Sequence, residues 1–325
     1  MKLGVFTVLF ANLPFEEMLD KVSKAGLQAI EIGTGGYPGN SHCPIDELLE
    51  CKEKRNEYLQ KITNHNLFIS AFSCHGNPLS PDIEFANQSD QDLRKTIKLA
   101  SLLNVPVVNC LSGQPGVPDS SGNSKYPNWP AVPWPPEHVE LYEWQWKEKI
   151  IPYWKEIGEL AKENNVKIAI EIHGGFAVNS PYTMLKLREA TNDAIGANLD
   201  PSHLWWQGID PIAAIKILGK ANAIHHFHAK DTYIDQDNVN MHGLISTISY
   251  ANIAQRSWNF RSVGCGHSME VWSNIISTLR IVGYDYVISI EHEDPLMSIE
   301  EGFNRALTNL NSVLIHEPPT DAWWA

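Results

Sequence analysis

Eight short apolar runs, each followed by a stretch with helical spacing, constrain this chain more than any other feature. The runs cover residues 2–10, 29–33, 68–75, 105–111, 167–172, 194–199, 223–229 and 286–290. Ile168-Ala169-Ile170 and Val287-Ile288-Ser289-Ile290 are largely apolar, with no polar alternation. Strands covered on both faces read this way, as in parallel sheets. Helical spacing falls over residues 14–25, 45–64, 90–103, a segment through Trp154 and Ile157 to Glu163, and then 182–191, 211–218, 270–282 and 299–314. Gly26, Gly219 and Gly283 are read as residues just past a helix, where a left-handed cap is wanted. Eight strand–helix units predict a single α/β domain, a (β/α)8 barrel over residues 1–315, with a tail at 316–325. A doubly wound open sheet is the alternative. It calls for a Gly-rich phosphate turn after the first strand, and Ala11-Asn12-Leu13-Pro14 stands there instead.

Two segments exceed an ordinary connection, 113–136 after the fourth strand and 232–266 after the seventh. Long loops are usually functional, and loops after barrel strands lie at the mouth where active sites form. Both are expected to border a pocket, with Trp129 or Trp134 as a platform for a sugar ring or simply as packing. The net charge of −13 opposes a phosphate backbone, so neither nucleic acid nor an anionic membrane is expected as a partner. No apolar run reaches the roughly 18 residues of a membrane span. The first ten residues lack the cleavage pattern of a secretion signal. Five cysteines without a CxxC spacing read as reduced thiols, which points to the cytoplasm. The tail is expected to pack on the barrel or on a second subunit, so a homo-oligomer is compatible with the sequence.

The ends of the last four strands carry the chemistry. They read Ile170-Glu171-Ile172-His173, Leu199-Asp200-Pro201-Ser202-His203, His226-Phe227-His228-Ala229-Lys230-Asp231 and Ile290-Glu291-His292-Glu293-Asp294. In a closed barrel these ends converge. Three carboxylates brought together repel and their pKa values rise, unless a cation joins them. Glu171, Asp200, His228 and Glu291 are therefore assigned as ligands of one divalent ion. Three oxygens and an imidazole suit Mn²⁺, the expected ion, or Co²⁺, Mg²⁺ or Zn²⁺. The alternative is that each acid caps the following helix or pairs with Lys230 or Arg261.

With these motifs the chain resembles the xylose isomerase-like barrel superfamily, in its sugar phosphate isomerase/epimerase branch. That branch holds ketose 3-epimerases and inosose dehydratases and is related to AP endonucleases. Cys74-His75-Gly76-Asn77-Pro78-Leu79 and Val263-Gly264-Cys265-Gly266-His267 share in the resemblance, which spans nearly the whole chain. It implies that His228, rather than His225 or His226, is the ligand from the seventh strand. Alternation agrees, since 226 and 228 share a face and 228 lies nearer the mouth. The extra histidines of the AP endonucleases bind further zinc ions. Asn109 stands where a further histidine would help, so one ion is expected.

The resemblance further implies a divalent-metal-dependent sugar isomerase or epimerase acting on a ketose, a sugar acid or a keto-sugar. Glu171 and Glu291 would remove and return a proton next to a carbonyl, through a metal-bound enediolate. His203 and Arg261 would donate to the substrate oxygens, and His75 and His267 would line the pocket. The ketose epimerases carry a further Glu shortly after the fifth-strand ligand; here Gly174, Gly175 and Phe176 follow. The same proton abstraction with a leaving group one carbon on gives a lyase or dehydratase, including 3-oxo-glycoside cleavage. An AP endonuclease and a non-catalytic sugar-binding subunit are the remaining alternatives.

Overall fold

A computed structural model of the chain describes residues 1–118, 125–317, 320 and 324. In chain order the elements begin with β1 (Lys2–Phe6), α1 (Phe15–Lys24), β2 (Ala29–Gly36), α2 (Ile45–Glu50), α3 (Lys52–Asn64), β3 (Phe68–His75), α4 (Ile83–Leu103) and β4 (Val107–Leu111). They continue with α5 (Glu137–Trp144), a π-helical turn Gln145–Ile150, α6 (Ile151–Glu163), β5 (Lys167–Glu171), α7 (Pro181–Ala190), β6 (Ile195–Leu199), α8 (Pro201–Trp205), α9 (Pro211–Lys220) and β7 (Ile224–Ala229). The last are β8 (Asp231–Ile234), α10 (Gln236–His242), β9 (Trp258–Arg261), α11 (Met269–Ile281), β10 (Val287–Ile290) and α12 (Ile299–Val313). Eight strands close a parallel barrel in the order β1-β10-β7-β6-β5-β4-β3-β2, so the predicted (β/α)8 architecture is correct.

The main core lies between strands and helices and includes Trp154, Trp272, Phe72, Phe227 and Phe303. A small plug of Ala71, Val107 and Ala169 forms a separate cluster on β3, β4 and β5, packed against Tyr286. Two residues further along these strands come Ser73, Asn109 and Glu171, because alternate positions share a face. Glu31, Ser73, Asn109, Asn198, His226 and Ser289 are all fully buried. The barrel interior is thus polar just beneath the mouth.

The structure departs from the expectation in several places. The 232–266 segment is not a bare loop: β8 and β9 pair antiparallel, Thr232 against Phe260 and Tyr233 against Asn259. Thr, Tyr, Trp and Phe in those runs favour strands. The 45–64 helix breaks at Cys51, which is extended. Gly26 and Gly283 take positive φ as caps, but Gly219 lies inside α9 and does not. Val282 packs where its side chain would be. The left-handed residue after α9 is Asn222, and Asn66, Asn104 and Asn165 do the same after α3, α4 and α6.

Candidate metal centre and active-site pocket

Glu171 is the last residue of β5, Asp200 follows β6, His228 lies in β7 and Glu291 follows β10. These strands are consecutive round the barrel, so their ends meet. One ligand atom from each of the four residues lies within 4.8 Å of the others. His228 Nδ1 is 3.3 Å from Glu171 Oε2 and 3.1 Å from Glu291 Oε2. The other ring nitrogen is held from below. His228 Nε2 donates to both oxygens of Glu31, at 2.9 and 3.0 Å. Glu31 also accepts from Asn109 Nδ2 at 2.9 Å, from Ser289 Oγ at 2.7 Å and from Ser73 Oγ. A carboxylate that holds one imidazole nitrogen frees the other for an ion and fixes the ring's direction. Glu31 was not anticipated from the sequence.

Lys230 is the other unanticipated member. It shares a face with His228, two residues on, and its side chain is buried. Its ammonium donates to Glu291 Oε2 at 2.8 Å and to Glu293 Oε2 at 2.9 Å. It lies 3.2 Å from Asp200 Oδ2 and 4.6 Å over the Phe260 ring. Burial works against this charge, yet Asp200, Glu291 and Glu293 hold the lysine well above its usual pKa. Burial likewise pushes the Glu291 carboxyl up, but Lys230 and His228 outweigh it and bring Glu291 down to about 2. For Glu171, hydrogen bonds from His203, His228 and His75 overcome burial and hold it well below the carboxylate range. Asp200 goes the other way: burial wins over Lys230 and His203, and its pKa is raised.

This donor set fits a divalent cation. Glu31, Glu171, Asp200, Glu291 and Glu293 face Lys230 and a single well-charged imidazole, His228. The negative charge exceeds the positive. Asp200 Oδ2, His203 Nε2 and His75 Nε2 are buried, and their near neighbours are ionisable groups of the same cluster, Glu171 and Lys230. Buried charge is costly unless balanced, and an ion would give these crowded carboxylates and imidazoles a shared partner.

Above these residues opens a cavity of about 510 Å³, lined by Glu171, Glu291, His75, His173, His203 and Lys230 toward the floor and by Phe6, Tyr37, Tyr250 and Phe260 among the rest. His203 Nε2 is 3.0 Å from Glu171 Oε1 and 3.3 Å from Asp200 Oδ2. His75 Nε2 is 3.3 Å from Glu171 Oε2. His173, not assigned a role from the sequence, packs its ring 3.9 Å from that of His203. The Trp206 ring occupies the space above Gly174 that any side chain there would need.

Arg261 and His267 do not reach the cavity lining, contrary to expectation. Arg261 Nε donates to Asp294 Oδ2 at 2.9 Å, and the Ser262 amide joins it there. His267 Nδ1 is bound to Asp231 Oδ1 at 2.8 Å while its ring stacks on Trp205 at 3.8 Å. Asp231 also accepts from the amides of Thr232, Gly264, Gly266 and His267 and from Trp272 Nε1. It ties the 262–267 turn to the start of β8 and takes His267 with it. The 232–266 segment does border the cavity, through Tyr250, Asn259 and Phe260. The described part of 113–136 does not. Its Pro115 and Gly116 carbonyls accept from Gln145, and Trp134 is 74% exposed.

Residues 19–312 match the protein family described as Xylose isomerase-like TIM barrel. The chain belongs to this family. It is 39% identical over 318 residues to a Bacillus subtilis (strain 168) protein named Uncharacterized protein YfiH, covering 97% of this chain and 99% of that one. Among solved structures, the probable 3-DHS dehydratase AsbF from Bacillus anthracis superposes with a TM-score of 0.65 at 17% identity, over 96% of this chain and 99% of that chain. An L-ribulose 3-epimerase gives 0.62 at 17% identity, over 96% and 94%. The IolI protein, solved with a bound zinc atom, gives 0.63 at 20% identity, over 97% and 98%. Likeness at this level of identity shows the fold of the family. Among the described residues, no helix is long and apolar enough to cross a membrane, and the five cysteines are free thiols.

Proposed function

We propose that this protein is a divalent-metal-dependent sugar isomerase or epimerase, moving a proton on the carbon next to a carbonyl. One observation carries the reading. Two glutamates held ionised, Glu171 and Glu291, line the same cavity from strands separated by β6 and β7. Each also faces His228 Nδ1. Glu171, Asp200, His228 and Glu291 hold the ion, with Mn²⁺ the first to supply. When bound, it provides positive charge that stabilises the oxygen of the reacting group and acidifies the neighbouring C–H. One glutamate takes the proton and the other returns it. His203 and His75, beside Glu171, orient the sugar hydroxyls and carbonyl. The small-molecule substrate is a ketose or keto-sugar, and the free thiols suit a reducing cytoplasm.

A lyase or dehydratase reading is kept for one reason. Glu293 lies 2.9 Å from Lys230 beside the floor, and no acid follows β5 where the epimerases carry one. The Lys230 ammonium, which donates to Glu291 and Glu293, is placed to hydrogen-bond a leaving oxygen, a role that return of a proton to carbon does not need. The test is incubation of ketoses, sugar acids and keto-sugars in D₂O with Mn²⁺, followed by NMR. Deuterium next to the carbonyl of at least one substrate is expected. An epimer as product supports the first reading and an unsaturated product the second. No exchange anywhere in the panel, with the ion fully loaded, rejects both.

A further inference from the structure

The lip of the cavity differs from its floor. Tyr37 follows β2 and Tyr250 lies in the excursion between β8 and β9; both line the cavity, yet they are 63% and 57% exposed. Exposed aromatic rings are costly to hold in place unless something braces them. Here each is braced. The Tyr37 amide donates to the His75 carbonyl at 2.7 Å, and its ring leans on Phe85 at 5.9 Å. Tyr250 stacks on Phe260 at 6.0 Å, and the Arg256 guanidinium lies 4.0 Å from its ring. Rigid aromatic faces at the mouth of a polar cavity are what a sugar face or an aromatic substituent stacks against.

The cations near the mouth are all engaged. Lys230 serves three carboxylates. Arg256 donates to the carbonyls of Trp258 and Ile248. Arg261 is taken by Asp294. Among the described residues, Lys230 is the single lysine or arginine lining the cavity, against Glu171, Glu291 and Glu293. A phosphate or carboxylate at the lip would meet Glu293 and find no free partner. The cavity of about 510 Å³ also sits within the roughly 300–1,000 Å³ of sites that enclose drug-sized ligands.

We propose that the lip formed by Tyr37 and Tyr250 is a subsite for a second, uncharged ring attached to the sugar, so that the ligand is a neutral glycoside whose reacting carbonyl lies away from the anomeric carbon, rather than a free sugar or a sugar phosphate. This rests on the reading of the floor as a sugar site. The test is calorimetric titration of the Mn²⁺-loaded protein with D-glucose, phenyl β-D-glucoside and D-glucose 6-phosphate, with the phenyl galactosides and mannosides in parallel. A phenyl glycoside should bind about tenfold more tightly than its free sugar, and the 6-phosphate more weakly than glucose. Tyr250→Ala and Tyr37→Ala should each remove most of the phenyl preference, read as the ratio of phenyl-glycoside to free-sugar affinity. Equal affinity for free sugar and phenyl glycoside overturns the proposal. So do tighter binding of the phosphate, no binding of any phenyl glycoside, or wild-type preference in both variants. Binding is read without turnover, so the two readings fail separately. A protein that prefers phenyl glycosides but exchanges no hydrogen in D₂O keeps the subsite and loses the reaction. One that exchanges hydrogen in a free ketose with no phenyl preference does the reverse.

Discussion

The two halves of the barrel mouth repeat the same strand–helix unit and carry opposite chemistry. β5, β6, β7 and β10 end in Glu171, Asp200, His228 with Lys230, and Glu291 with Glu293. The facing half, from β1 to β4, lends the cavity Phe6, Val8, Tyr37, His75 and Leu111, with no carboxylate among them. The four ionisable strand ends are contiguous in the barrel order, and that is what brings their ligand atoms within 4.8 Å. The neutral half supplies a wall without carboxylates, with His75 as its ionisable side chain in the lining. Two residues cross the division: Glu31, in β2, reaches His228 at 2.9 Å beneath the floor, and His75, in β3, lies 3.3 Å from Glu171.

The largest expected effect tests that division directly. Glu291→Gln with saturating Mn²⁺ should lower turnover, or deuterium exchange, by about 10²–10⁴-fold, the usual contribution of a general acid or base. Val8→Ala, on the neutral half of the lining, should change it less than about tenfold. A Glu171→Gln, Asp200→Asn double variant should lose its bound ion in metal analysis after gel filtration. Full retention would remove the metal centre from the charged half, and normal turnover in Glu291→Gln would reduce that glutamate to a ligand.

The charged strand ends were legible because two independent patterns coincide there. Apolar runs mark the strands, and each of four runs stops at an acid or a histidine. Glu31 was hidden for a physical reason. Ala29-Ile30-Glu31-Ile32 reads as a strand with one polar residue, and only barrel closure turns that face inward. Lys230 was visible but read as a mere partner for an acid. Its alternation with His228 was the signal that placed it on the floor. Arg261 and His267 were misjudged because their captors, Asp294 and Asp231, approach through tertiary contacts that spacing does not reveal. The aromatic platform was sought in the Pro-rich 113–136 segment. Phe260 lies in β9 and Tyr250 in the excursion before it, where Trp258-Asn259-Phe260 already had the composition of a strand.

A smaller effect sharpens the role of the crossing residue beneath the floor. Glu31→Gln keeps the shape and most hydrogen-bonding capacity but removes the charge that faces His228 Nε2. Changes in groups that hold a ligand histidine typically cost about 10–100-fold in metal affinity. Mn²⁺ affinity, read by competition with a chelating dye, should fall by that order, while the cavity lining stays as it was. Unchanged affinity would make Glu31 a polar filler of the barrel and leave His75 to cross the division between the halves.

The smallest effect concerns Lys230, and its sign is the informative part. The ammonium shares Glu291 Oε2 and Asp200 Oδ2 with the place an ion would take. Without an ion it offsets the carboxylates, and removing one partner of a buried pair costs about 3–5 kcal/mol. Lys230→Met should therefore lower the melting temperature of the metal-free protein. An ion then has to offset what the lysine did, and no longer meets its repulsion. At an effective dielectric of about 20, a single and a double charge about 5 Å apart repel by several kcal/mol. Movement of the lysine toward the half-exposed Glu293 relieves much of that in the wild type. About a tenfold gain in Mn²⁺ affinity is expected for the variant, together with a larger rise in melting temperature on adding Mn²⁺. If the variant binds Mn²⁺ equally or more weakly, Lys230 is holding Asp200 and Glu291 in their binding geometry. The charged half of the mouth would then be arranged by its lysine before any ion arrives.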